Sequence, residues 1–233
     1  MSYFCNFFYN FKFKTCSINR WPMPPAIIDA AFEPIQNSIT IPAGILKPPF
    51  FDSERPYSIN YGFIGVLIGH EFTHGFDDQG SHFDFDGNQK NWWTEAARSA
   101  YKKRAQCFVD EYASIVDPLT GLHLNGKNTL GENIADNGGL KEAFNAFKTR
   151  EQKEGEMLTL PGLPKFDSDK LFFLSFAQMR CSITRPEAMK NLILYNRHSP
   201  PKYRVEVPTY NNDAFHKAFN CPSKKTQEVC KLW

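Results

Sequence analysis

Hydrophobic and polar positions along the chain recur mostly with the period of a helix. Residues 60–78 are apolar and interrupted by three glycines, which predicts a helix that packs closely against a neighbour or a site. Thr94 is a suitable N-cap for a long helix that runs to about Ile115. A second long helix is predicted from TLGENIADNGGLKEAF onward. A third, buried helix is predicted in DSDKLFFLSFAQMRC, with Asp167 or Ser168 as its cap.

Shorter elements complete the pattern. Alternation in NSITIPAGIL predicts a short strand that includes Ile39, Ile41 and Ala43. Pro186 suits the first turn of a helix. The segment KYRVEVP is predicted as a loop followed by a strand, and NNDAFHKAF as a short closing helix. The sum is one domain that is mostly α with a small β-sheet, in the α+β class.

Composition and charge narrow the possible functions. The chain has 233 residues, of which 42% are hydrophobic, and a net charge of only +2 with scattered basic residues. Neither nucleic acid nor an anionic membrane is therefore an expected partner. No stretch approaches the roughly 18 uninterrupted apolar residues of a membrane span, and the N-terminal sequence is a poor signal peptide. The six cysteines are widely spaced without a C-x-x-C pair, which argues against a zinc ribbon or a thioredoxin motif. Disulfides in an oxidising compartment are favoured over free thiols.

The segment VLIGHEFTHGFDD carries the first candidate chemistry. On a helix, His70 and His74 lie one turn apart on one face and can direct two imidazoles at one Zn²⁺ ion. Glu71 lies about 100° further round the helix. There it is close to the metal without binding it and can take a proton from metal-bound water. The alternative interpretation is a helix with two solvated histidines.

A catalytic zinc ion needs a third protein ligand and an open position. No third histidine follows His74 with the spacing HxxGxxH, so the third ligand is expected to be a carboxylate from a second helix. The segment GENIADNGG supplies Glu132. It also supplies Asp136 one turn later, which can accept a hydrogen bond from a ligand histidine. A solvated acidic helix face is the alternative, but the apolar and glycine neighbours disfavour it.

Several motifs together resemble the catalytic half of the neprilysin and endothelin-converting-enzyme family of zinc metallopeptidases. They are VLIGHEFTHGFDDQG, LNGKNTLGENIADNGGL, LPGL, FFLSFAQMRC, HSPPKYRV and the terminal CKLW. The resemblance implies a thermolysin-like zinc peptidase catalytic domain over residues 21–233, preceded by an irregular segment, residues 1–20. It also implies peptide substrates and an extracellular or cell-surface location.

The resemblance assigns roles to the residues of the two motif helices. It makes His70, His74 and Glu132 the ligands of one zinc ion. Glu71 would be the general base of hydrolysis, and Asp136 would orient a zinc-bound histidine.

Further roles come from the resemblance alone. His198 would donate a hydrogen bond to the developing oxyanion, and Arg204 would hold a substrate carbonyl. Peptides would be cut on the amino side of apolar residues. The residues that contact the peptide backbone or form the apolar pocket would be Asp29, Ala30, Ile45, Phe50, Val66, Leu67 and Met179.

The chain departs from the family pattern at two of the substrate positions. Asp29 stands in place of an asparagine, and an ionised aspartate accepts hydrogen bonds but cannot donate them. Arg180, beside Met179, stands where the family usually has a tryptophan, and it would narrow or charge the pocket.

The resemblance also bears on the cysteines and on the length of the chain. It implies the disulfides Cys107–Cys230, Cys5–Cys221 and Cys16–Cys181. The chain looks like the start of the family ectodomain joined to the catalytic half, without the helical region that covers the active site. We therefore expect a zinc metalloendopeptidase. The alternative is a catalytically impaired homologue that acts as a secreted binding or decoy module.

Overall fold

The computed structural model describes residues 21–155, 160–222 and 229–232. Within these residues the chain forms a two-stranded antiparallel sheet and eight α-helices, so the predicted class, mostly α with a small sheet, is confirmed. A π-helical turn, Tyr61–Gly65, joins the first two helices, and short 3₁₀ turns form at Ala43–Ile45 and Gly80–His82. The strands and helices are β1 (Ala31–Glu33), β2 (Ser38–Thr40), α1 (Tyr57–Asn60), α2 (Val66–His74), α3 (Glu95–Ala113), α4 (Leu130–Glu154), α5 (Ser168–Met179), α6 (Pro186–Tyr195), α7 (Tyr203–Tyr210) and α8 (Asp213–Ala218).

Helices α2 and α4 cross at the centre of the fold, and glycines line their contact. A Cβ atom on Gly69 of α2 would lie 2.8 Å from the carbonyl oxygen of Gly139. A Cβ atom on Gly139 of α4 would lie 2.5 Å from the backbone nitrogen of His70. Real Cβ atoms do not approach backbone so closely, so only glycine fits at this crossing. The close packing expected from the glycines of this segment is therefore present, and it brings the HEFTH helix directly against the GENIAD helix.

Two hydrophobic clusters hold α4 in place from different sides. The first joins α4 to α3, α6, α7 and the C-terminal segment, and its buried members are Tyr101, Ala105, Phe108, Tyr112, Leu124, Ile134, Met189, Ile193, Tyr203, Val207, Cys230 and Leu232. The second is largely aromatic and joins α4 to α2 and α5, through Val66, Leu140, Ala143, Phe144, Phe147, Phe172, Phe173 and Phe176. Because α4 contributes to both clusters, its position relative to α2 is fixed by most of the buried apolar surface.

The helix boundaries follow the capping signals in the sequence. The side chain of Thr94 accepts a hydrogen bond from the backbone N–H of Ala97, as expected of an N-cap for α3. Asp167, rather than Ser168, caps α5. Pro186 occupies the first turn of α6, as predicted. None of the helices in the described ranges is long and apolar enough to cross a membrane.

Two of the strand predictions differ from the structure. The strand predicted through Ala43 ends at Thr40, because Pro42 has no N–H for a ladder and a 3₁₀ turn follows it. The segment predicted as a strand around Val205 is instead the helix α7. Tyr203 and Val207, one helical turn apart, are both buried in the first cluster. This tertiary burial outweighs the strand preference of the alternating valines.

The predicted disulfide Cys107–Cys230 is confirmed and ties α3 to the C-terminal segment. The other two predicted bridges involve Cys5 and Cys16, which lie outside the described residues.

A substitution at the glycine crossing tests its importance. We expect Gly139→Ala to lower the free energy of unfolding by about 2 kcal/mol, because the added methyl group displaces the backbone of α2. Gly65→Ala is the matched control. Its Cβ atom would make only an ordinary 3.4 Å contact with the Tyr61 side chain, and alanine gains up to about 1 kcal/mol of helix propensity. Urea denaturation measures both changes, and equal effects of the two substitutions would contradict the close crossing.

Candidate metal centre

Helices α2 and α4 bring three electron-pair donors to one point. The Nε2 atoms of His70 and His74 lie 3.0 Å apart. Oε2 of Glu132, in the first turn of α4, lies 3.2 Å from Nε2 of His70 and 3.7 Å from Nε2 of His74. The donor atoms of all three residues are within 4.8 Å of one another. The structure therefore brings together the three side chains that the sequence predicted as metal ligands.

A carboxylate lies against the far nitrogen of each imidazole. Oδ1 of Asp136 is 3.0 Å from Nδ1 of His70, although this nitrogen makes no well-aligned hydrogen bond. Oδ2 of Asp77 is 2.7 Å from Nδ1 of His74. In a neutral imidazole, such a partner favours the tautomer with the proton on Nδ1, which leaves the lone pair on Nε2. Both histidines then direct a lone pair at the same point.

This donor set fits a divalent cation. When both histidines are neutral, two imidazole lone pairs and a carboxylate oxygen face one another, and a cation would remove their mutual repulsion. Oε2 of Glu132 is buried and makes no well-aligned hydrogen bond, although Nε2 of His198 lies 3.1 Å away. Two imidazole nitrogens and one carboxylate oxygen are a ligand set that catalytic Zn²⁺ takes, with the fourth position open.

Without a cation, the buried charges act on one another. Burial lowers the pKa of His70, but the carboxylates of Asp136 and Glu132 outweigh it and raise that pKa to about 9. Burial raises the pKa of Glu132, but His198, His70 and His74 outweigh it and hold that pKa well below its usual range. A cation bound at this point would compete with a proton for His70, because a metal ligand must be deprotonated.

Glu71 lies beside the centre without belonging to the donor set. Its side chain is buried, and burial is the main cause that raises the pKa of its carboxyl group, against the opposing charges of His70 and His74. The backbone N–H of Phe32 in β1 donates a hydrogen bond to it, which brings the small sheet against α2. A carboxylate with a raised pKa next to the donor atoms is suited to accept and return a proton.

Arg204 of α7 reaches the centre through Asp136. Its guanidinium donates two hydrogen bonds to the carboxylate, from Nε to Oδ2 at 2.6 Å and from Nη2 to Oδ1 at 2.8 Å. Both side chains are buried, and this paired geometry fixes their orientation. Asp136 therefore joins His70 on one side to Arg204 on the other.

The loop before α7 places His198 next to Glu132. The backbone N–H of His198 donates to the side-chain oxygen of Asn196 at 2.8 Å, and its Nδ1 lies 3.1 Å from the same oxygen. Oγ of Ser199 donates to Oδ1 of Asn133 at 2.8 Å, which ties the loop to α4. His198 and Arg204, which only the family resemblance singled out, therefore both lie beside the donor atoms.

The residues predicted to contact substrate lie in several environments. Val66 is a buried member of the second cluster, Met179 packs against that cluster, and Leu67 of α2 is half-buried. Ile45 is buried but belongs to neither cluster, and Phe50 packs edge-on against Phe63. Asp29 is exposed and Ala30 half-buried, and both precede β1 rather than lie within it.

Two residues near the centre were missed by the sequence analysis. Asp77 is buried and also accepts hydrogen bonds from the backbone N–H groups of Gln79 and Gly80. Its signal is a carboxylate three residues after the second histidine, where the chain leaves the helix. Arg197 lies 3.4 Å from Oε1 of Glu132, and its place in an irregular loop gives no signal in the sequence.

The fold is similar to those of two solved structures, one of them titled as a zinc metalloprotease. The structure titled Mycobacterium tuberculosis zinc metalloprotease Zmp1 in complex with inhibitor aligns with a TM-score of 0.81 and 36% identity, over 89% of this chain and 32% of that one. The Haemonchus galactose-containing glycoprotein complex aligns with a TM-score of 0.84 and 35% identity, over 90% of this chain and 35% of that one. The fold is therefore that of a zinc metalloprotease domain, and the donor set at its centre suits a divalent cation.

Sequence comparison gives the family. Residues 29–229 match the model of peptidase family M13. The chain is 48% identical over 217 residues to the endothelin-converting enzyme homolog of Locusta migratoria, and 42% identical over 245 residues to neprilysin of Homo sapiens. It therefore belongs to peptidase family M13, as the resemblance implied. These alignments cover 92% and 99% of the chain but 29% and 32% of the relatives, so the chain spans about a third of their length.

The contact between Asp77 and His74 leads to a test of the centre. We expect Asp77→Asn to weaken Zn²⁺ binding roughly 10- to 100-fold, because the imidazole loses the carboxylate that fixes its tautomer, while the amide oxygen can still accept from the backbone. Asp78→Asn is the matched control, since it removes the adjacent charge from a carboxylate that lacks a hydrogen-bond partner at Oδ1. Competition with a zinc-binding dye measures both affinities. An equal loss in the two variants would show that Asp77 acts only through its charge.

Proposed function

We propose that residues 21–233 form the catalytic domain of a zinc metalloendopeptidase that hydrolyses small peptides on the amino side of apolar residues. The observation that carries the proposal is the convergence of His70, His74 and Glu132 from two helices, with the buried carboxyl group of Glu71 beside them. Membership of peptidase family M13 supports the same reaction.

The zinc ion would be held by His70, His74 and Glu132. Three protein ligands leave one position for water or for the substrate. When bound, the ion would supply Lewis acidity to a water molecule and to the scissile carbonyl group.

Glu71 would move the proton in this reaction. Its carboxylate takes a proton from the attacking water and later delivers one to the nitrogen of the leaving amine. The burial that raises the pKa of Glu71 makes it a better base than a solvated glutamate.

His198 and Arg204 would act on the substrate oxygens. An N–H of His198 stabilises the negative charge that develops on the carbonyl oxygen of the scissile bond. Arg204, held in place by Asp136, donates to the carbonyl of the next residue and so aligns the peptide.

The proposed specificity for apolar residues rests on the side chains around the start of α2. Val66 and Met179 pack against the aromatic second cluster and would form the apolar end of the pocket. Ile45, Phe50 and Leu67 would complete its walls. Asp29 and Ala30, just before β1, would contact the backbone of the bound peptide.

An extracellular or cell-surface location is part of the proposal. The disulfide Cys107–Cys230 supports it, since such bonds persist mainly in oxidising compartments.

A cleavage assay tests the proposed function. The zinc-loaded chain is expected to cleave a quenched fluorescent peptide, and a chelator is expected to stop the cleavage. Glu71→Gln should lower kcat by roughly 10²- to 10⁴-fold while the zinc content stays the same, because only the base is lost.

Glu142→Gln, on the exposed face of α4, is the matched control and should retain full activity. Undiminished cleavage by the Glu71→Gln variant would reject the mechanism. A chain that binds zinc and peptides without cleaving them would instead be the non-catalytic binding module.

A further inference from the structure

Arg180 places a cation beside the candidate centre that the mechanism above does not use. It follows the last residue of α5, Met179, and its Nη2 lies 3.6 Å from Oδ1 of Asp136. Its side chain is largely buried, with 19% of its surface exposed.

Arg180 makes no direct hydrogen bond to Asp136. Its carboxylate already accepts two hydrogen bonds from Arg204, at 2.6 and 2.8 Å, and lies 3.0 Å from Nδ1 of His70. The 3.6 Å separation from Arg180 exceeds the usual 2.7–3.2 Å of an N–H···O hydrogen bond. The carboxylate of Asp136 therefore lies near the guanidinium groups of both Arg204 and Arg180 but is hydrogen-bonded only to that of Arg204.

One donor of Arg180 is left without an acceptor. Its Nε is buried and has no hydrogen-bond partner. Burial lowers the pKa of Arg180, and Arg204 lowers it further, against the opposing effect of Asp136, Glu132 and Asp29. An additional anion beside Arg180 would accept a hydrogen bond from its guanidinium group. It would also offset the repulsion between Arg180 and Arg204. The planar fork of a guanidinium matches the geometry of a carboxylate.

The position of Arg180 indicates which part of a bound peptide it would meet. Met179, its neighbour in sequence, belongs to the proposed pocket for the residue after the cut. Asp29, whose charge acts on Arg180, stands just before β1, where the backbone of the peptide is proposed to bind. Under the proposed function, Arg180 thus lies next to the pocket for the first residue of the fragment that leaves as the amine, with its guanidinium near Asp136.

We propose that Arg180 is a specificity-determining residue that binds a carboxylate on the fragment after the scissile bond, beyond its first apolar residue. This inference rests on the proposed peptidase function. The carboxylate has two possible sources, which are an acidic side chain on the second residue after the cut and the free C-terminus of a peptide that ends there.

Binding to the zinc-loaded Glu71→Gln variant tests the proposal without turnover. The probes are fluorescent peptides with phenylalanine after the cut, followed by Gln-amide, Glu-amide or Gln with a free carboxyl end. We expect at least one of the two charged peptides to bind about tenfold or more tightly than the neutral one in an anisotropy titration. The peptide that shows the preference identifies the source of the carboxylate.

Substitutions of two arginines then test which of them causes the preference for a charged peptide. Arg180→Gln, added to the Glu71→Gln chain, should remove the preference, and Arg180→Lys, which keeps the charge without the fork, should retain part of it. Arg197→Gln is the matched control, because it removes an exposed arginine 3.4 Å from Glu132 and should retain the preference.

Equal binding of charged and neutral peptides, or a preference that survives Arg180→Gln, would overturn the proposal. A preference that disappears with Arg197→Gln instead would also overturn it. No preference for either charged peptide, in a chain whose wild-type form still cleaves the neutral peptide, would count against the role of Arg180 alone. Absence of cleavage by the wild-type chain would count against the proposed function.

Discussion

The contact between Gly69 and Gly139 is the constraint on which the rest of the structure depends. Because neither residue has a side chain, the backbones of α2 and α4 approach closely enough for Glu132 to lie 3.2 Å from Nε2 of His70. The two hydrophobic clusters supply the burial that holds the helices together, but they would allow a wider separation if side chains stood at the crossing. The distance between the histidine pair and the glutamate is therefore set by the absence of two methyl groups.

Around that crossing, the buried charges form a chain in which each group orients the next. Arg204 fixes Asp136, Asp136 lies against His70, and Asp77 plays the corresponding part for His74. Buried charges are unfavourable unless they are paired, so such a network indicates that the chain retains it for a purpose other than stability. Its effect is to hold two lone pairs and a carboxylate at one point, which is what a divalent cation requires.

The sequence revealed the parts of this site that depend on local periodicity. The spacing of His70 and His74 placed them on one face, and the one-turn spacing of Glu132 and Asp136 did the same on α4. The helix α7 was predicted as a strand because its valines alternate, and only burial against α3 and α6 explains why it is a helix. Asp77 lies beyond the end of its helix, and the contact of Arg180 with Asp136 joins distant segments. The only sequence signal for Asp77 is a carboxylate three residues after His74, and no local pattern encodes the contact of Arg180.

The direct test of the account is a structure of the zinc-loaded chain, with the metal located by its anomalous scattering. The account predicts a single ion about 2.0–2.1 Å from Nε2 of both His70 and His74, and about 2.0–2.2 Å from a carboxylate oxygen of Glu132. An ion bound by the histidines with Glu132 turned away, or an ion bound elsewhere on the chain, would contradict it.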